Sequence, residues 1–93
     1  MSLTQTVKSI NPRSLKNNTQ KVALKLLKAD GQWLRASELR KHIPSATSRL
    51  RDLRTDEFGN MIVETARNEN QTFFYRIRPS TVTKQQLNIV FGL

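Results

Sequence analysis

The stretch Ser45-Ala46-Thr47-Ser48-Arg49-Leu50-Arg51-Asp52-Leu53-Arg54 carries the densest chemistry in the chain. At 100° per residue, Ala46, Leu50 and Leu53 fall within about 60° of a common direction, so a helix here buries that stripe. Ser48, Arg51 and Asp52 then lie most nearly opposite it. Thr47 lies to one side, and Arg49 and Arg54 flank the stripe, where long side chains reach outward. Hydroxyls and guanidinium groups set out this way are chemistry for touching a ligand. Bond-making chemistry has no comparable grouping. With no cysteine, disulfides, thiolate metal sites and cysteine nucleophiles are excluded. The single histidine, His42, reads as a helix-surface residue with no second ligand for a metal and no orienting partner for a nucleophile. The seven carboxylates show no paired or metal-ligand spacing, and the three glycines form no phosphate loop. The expectation is no catalytic residue, no cofactor, no metal, no small-molecule substrate and no enzyme.

Charge says what the ligand would be. Sixteen Lys and Arg against seven Asp and Glu leave +9 on 93 residues and 10.7 kDa, a potential that favours a polyanion. Nucleic acid leads, with an anionic membrane surface behind it. Residues 1–16 carry +3 (Lys8, Arg13, Lys16), and residues 17–54 carry nine basic against three acidic groups, a net +6. Residues 55–78 come to −1 and the last fifteen to +1, so the excess lies in the helical half. No run approaches the roughly 18 to 20 apolar residues of a membrane span, and no secretory leader is evident. A cytoplasmic protein without a membrane role is expected, nucleoid-associated when bound to DNA. The sequons at Asn17 and Asn70 are read as chance.

The elements that must position these residues follow from periodicity. Residues 1–17 read as a flexible basic arm with at most a short helix through Leu3, Val7 and Ile10. From Asn18 or Thr19 as N-cap to the stop at Asp30-Gly31, Val22, Ala23, Leu24, Leu26 and Leu27 form an apolar arc opposite Lys21, Lys25 and Lys28. That lysine stripe reads as a solvated face. Trp33 and Leu34 are enough to pair with a sheet elsewhere. Residues 36–43 form a two-turn helix burying Ala36, Leu39 and Ile43. Pro44 ends it, and Ser45 stands as N-cap of the next helix.

After turn chemistry at Phe58-Gly59-Asn60, residues 61–66 read as a strand. Asn68-Glu69-Asn70-Gln71 reads as a polar tip, and Phe73, Tyr75 and Ile77 alternate with Phe74, Arg76 and Arg78 as a second strand. Trp33, Phe73 and Tyr75 are expected in the core, the alternative being base stacking on exposed rings. Thr83 and Gln86 make a capping box for a helix over about 84–91, with Val82 and Leu87 as a hydrophobic staple.

Helix, short strand, helix, tight turn, helix, strand, loop, strand is the order of a winged helix-turn-helix domain. Trp33 to Leu39, Thr47 to Arg54, Ile62-Val63-Glu64-Thr65 and Phe74-Tyr75-Arg76-Ile77 carry the resemblance. Over about residues 18–78 the chain resembles the small winged-helix domains of bacteriophage and mobile-element proteins. The resemblance implies an α+β fold in which a three-helix core carries a β-hairpin wing, the helix over 45–54 enters the major groove, and the wing lies along the backbone or near the minor groove. On it, Thr47, Ser48 and Arg51 are the base-reading candidates, arginine being able to present two donors to guanine O6 and N7. Ser45, Arg49, Arg54, Arg40 and Lys41 are assigned to phosphates, with Arg67, Asn68 and Asn70 doing likewise at the wing.

Three positions depart from the pattern. Arg35 stands where the family places Thr or Ser, so the second helix is weakly capped unless Ser37 takes over. Glu69 at the wing tip repels phosphate. Asp52 either pairs with Arg49 or accepts from a cytosine amino group.

The expected division is a basic arm over 1–17, a winged-helix domain over 18–78 and a C-terminal tail or helix over 79–93, whose Leu87, Ile89, Val90, Phe91 and Leu93 either pair two chains as a dimerisation element, the preferred reading, or dock on their own core. The expected function is sequence-specific binding of double-stranded DNA by a small phage or mobile-element transcriptional regulator. The alternatives are a winged-helix module for an acidic protein partner and a non-specific nucleic-acid binder.

Overall fold

The computed structural model describes residues 3–93; Met1 and Ser2, where the expected arm begins, lie outside them. Among the described residues the chain forms a small α+β fold of five α-helices and one three-stranded antiparallel sheet. Helix α1 spans Leu3–Ser9, α2 Asn18–Lys28, α3 Ala36–His42, α4 Ala46–Leu53 and α5 Lys84–Phe91. Strand β1 is Leu34–Arg35, β2 Glu64–Arg67 and β3 Phe73–Arg76, in sheet order β1-β3-β2. No helix among these is long and apolar enough to cross a membrane.

The leucine arc of α2 is the centre of the core: Val22, Ala23 and Leu26 are fully buried, and α4 lies against this helix through Ala46, Leu50 and Leu53. Asn17, not Asn18 or Thr19, caps α2, its side chain accepting from the Gln20 amide at 2.8 Å. Thr19 is instead buried, on the apolar side of the first turn. Asp30 and Gly31 both take left-handed backbone and end the helix as expected.

The short helix expected near Leu3, Val7 and Ile10 is present as α1, but it is docked rather than flexible: Val7 and, just past the helix, Ile10 are buried in the same cluster as α2, with Leu3 packed against it. Each such burial stabilises by about 1.5–3 kcal/mol, which is why a segment with few apolar residues still docks. At the other end, Leu87 and Val90 of α5 enter the core, and Gln20 Nε2 donates to the Val90 carbonyl at 3.0 Å. The Thr83–Gln86 capping box is present. Gly59, in left-handed backbone, lies against this helix, and a Cβ there would meet Gln86 Cγ at 3.2 Å. Helices α1 and α5 therefore both contribute to the same core cluster as α2 and α4, and the apolar residues of α5 are largely used within the chain.

Two further expectations change. The strand read at 61–66 is confined to Glu64–Arg67, because the Met61 amide donates to the Leu53 carbonyl at 2.8 Å and the Val63 carbonyl is taken by Arg54. Residues 61–63 are thus tied to the end of α4 before the ladder starts. Trp33 and Phe73 are not core residues: they are 39% and 41% exposed, whereas Tyr75 packs half-buried against the core beside buried Ile77.

Candidate nucleic-acid interface

Helix α4 starts abruptly. Ile43 closes α3 with its amide on the Leu39 carbonyl, Pro44 follows, and Ser45 takes left-handed backbone at φ 58°. Ser45 holds the expected N-cap position, its carbonyl accepting from the Arg49 amide at 3.0 Å, but its side chain makes no capping bond. The tight turn, rather than a cap, sets the angle between α3 and α4. As expected, Arg35 precedes α3 without a side-chain cap bond.

With Ala46, Leu50 and Leu53 buried, Ser48 and Arg51 are exposed and Thr47 is half-buried at the edge of the face. Among the described residues, no hydrogen bond or ion pair engages these three side chains. Arg49 reaches back to Asp52 at 3.2 Å, the pair anticipated from their spacing, leaving the Asp52 carboxylate partly neutralised. The Arg49 Nε is buried without a partner. Arg40 and Lys41 are exposed on α3, and Ser45 is exposed in the turn.

The remaining phosphate candidates are more committed. Arg54 Nη2 donates to the Val63 carbonyl at 2.7 Å and to Thr65 Oγ1 at 2.9 Å, joining the end of α4 to the hairpin. In the hairpin loop, Asn68 Oδ1 accepts from the amides of Asn70 at 3.0 Å and Thr72 at 2.9 Å. Gln71 is left-handed there. Asn68 is thus the scaffold of the loop, while Asn70 and Glu69 are exposed. Arg67 is exposed beside Phe73, its guanidinium 5.9 Å from the ring centre.

Sequence reasoning passed over one cluster. Glu64 faces Arg76 across the ladder and is bonded by Arg76 Nε at 3.0 Å and Nη2 at 2.9 Å, and by Arg78 Nε. Partial burial pushes the Glu64 carboxyl up, but the hydrogen bonds and charges of Arg76 and Arg78 outweigh it and hold the group below its ordinary value. The outward alternation of Arg76 and Arg78 was visible in the sequence; their partner depended on a strand register that only the fold supplies.

Comparison of the chain with family models, with curated proteins and with solved structures finds no match.

Proposed function

We propose that this chain is a winged helix-turn-helix protein that binds double-stranded DNA in a sequence-specific way, in the manner of a small phage or mobile-element transcriptional regulator. The observation that carries the reading is the outward face of α4, where Thr47, Ser48 and Arg51 are held on a helix buried along its other side and their side chains make no bond among the described residues. An unengaged arginine on a fixed helix can give two donors to one guanine, and the hydroxyls suit bases or phosphates. Supporting it are the antiparallel hairpin that follows α4, the +9 charge and the exposed Arg40 and Lys41 on the preceding helix. In this reading Arg49 and Arg54 act mainly by shaping the helix ends, and the hairpin adds phosphate contacts through Arg67 and Asn70.

The test is selection from a random duplex library at about 150 mM salt, where long-range attraction to phosphate is largely screened. An enriched motif is expected, and two half-sites about 10 to 11 base pairs apart would identify a symmetric pair of chains on the DNA. Retention of duplex at low salt with no enriched motif would overturn sequence-specific recognition.

A further inference from the structure

The register of the sheet sorts its residues onto two faces. Leu34, Thr65 and Tyr75 share the inner face, against which α2 and α3 pack. Arg35, Phe74, Ala66, Arg76 and Glu64 share the outer one. On that outer face the Arg76 guanidinium lies 4.2 Å from the centre of the Trp33 ring, and Arg35 lies 5.8 Å from that of Phe74. We propose that this outer face, built on the Trp33–Arg76 stack with Phe74, Arg35 and Arg78, is a second binding surface that takes single-stranded nucleic acid by stacking its bases.

Three features argue for that occupant. The first is charge: Arg35, Arg76 and Arg78 stand against the one carboxylate of Glu64, so the face attracts a polyanion. The second is order. Glu64 grips Arg76 through two nitrogens, which fixes the guanidinium plane over Trp33 before any ligand arrives and lowers the entropy lost on stacking. The third is shape. Ala66, the neighbour of Phe74 on the edge strand β2, carries one methyl group and leaves that edge of the face low beside the Phe74 ring. Unpaired bases can lie on such a platform, because every base has a π-face, whereas the edges of a closed duplex are reached by an element that enters a groove. The inference does not depend on what α4 recognises.

Trp33 is the only tryptophan, so its emission reports on this face alone. Titration of the full chain with an oligothymidylate of about 12 nucleotides is expected to quench that emission saturably. Trp33→Ala, followed by the anisotropy of a labelled strand, should weaken binding by about tenfold, and Arg35→Ala should weaken it less, both with an unchanged far-ultraviolet spectrum. Arg51→Ala should leave strand binding unaltered. Three results would overturn the assignment: no quenching at low salt, strand binding lost with Arg51→Ala and kept with Trp33→Ala, or equal quenching by polyglutamate, which would mark an acidic protein as the better partner.

Discussion

The outward face of α4 and the hairpin that follows it are both rich in arginine and polar side chains, yet the fold uses them differently. On α4, the side chains of Thr47, Ser48 and Arg51 make no bond among the described residues. On the hairpin and its approach, Arg54 is bonded to Val63 and Thr65, Asn68 to its own loop, and Arg76 and Arg78 to Glu64. One region is a surface held ready by apolar residues beneath it. The other is a polar structure that supports itself. Residues of the first kind are expected to show their effect in duplex binding, and those of the second in stability.

The largest expected effect breaks the first half of that contrast: Arg51→Ala should lower affinity for the selected duplex by about tenfold to a hundredfold, the value of a two-donor contact to guanine, while changing stability by less than about 0.5 kcal/mol. Arg54→Ala should do the reverse. Loss of its two hydrogen bonds, one to a carbonyl and one to a hydroxyl, should cost about 1–2 kcal/mol in denaturant unfolding, discounted for its exposure. Duplex affinity measured well below the transition should then change less than for Arg51→Ala. A variant at Arg54 that keeps full stability and loses binding would erase the distinction.

Capping offers a finer comparison. Thr83→Ala removes a capping box and should cost about 1 kcal/mol, whereas Ser45→Ala should cost less than about 0.5 kcal/mol because Ser45 caps nothing. Equal losses at the two positions would restore Ser45 as a cap.

The Glu64 cluster gives a dependence on pH. A carboxyl whose folded value lies below its unfolded one contributes stability above the unfolded value, and that contribution is lost as pH falls through the folded value. Stability should therefore decline on the acid side, and Glu64→Gln should flatten that part of the profile relative to the parent. An unchanged acid limb would show that the arginines hold nothing by their charge.

What could be read from the sequence was set by local rules. The α2 arc, the buried stripe of α4, the Arg49–Asp52 pair and the α5 capping box each depend on residues within about four positions of one another, and periodicity reports these well. Docking of α1 was missed because Leu3, Val7 and Ile10 look too sparse until α2 supplies the surface that buries two of them. Ser45 holds the N-cap position without a side-chain cap, because a serine caps through its hydroxyl when the backbone is extended there, and the Pro44 turn makes it left-handed. Trp33 and Phe73 were placed inside on hydrophobicity alone. The exposure of Trp33 follows from the register, which pairs Leu34 with Tyr75 and leaves Trp33 on the arginine side, whereas Phe73 shares the face of Tyr75 but stands at the loop end of the hairpin, opposite exposed Arg67. The face of α4 was legible as a face; that its three central side chains are left without partners is a property of the fold.

The central claim is that Arg51 reads a base. The most direct test is to select binding sites for the parent and for Arg51→Ala under identical salt and compare the motifs position by position. The account predicts that one position, or one per half-site, loses its preference for guanine while the others stand. Identical motifs, with affinity lowered evenly across all sequences or not at all, would contradict it and leave Arg51 a phosphate contact or a solvated side chain.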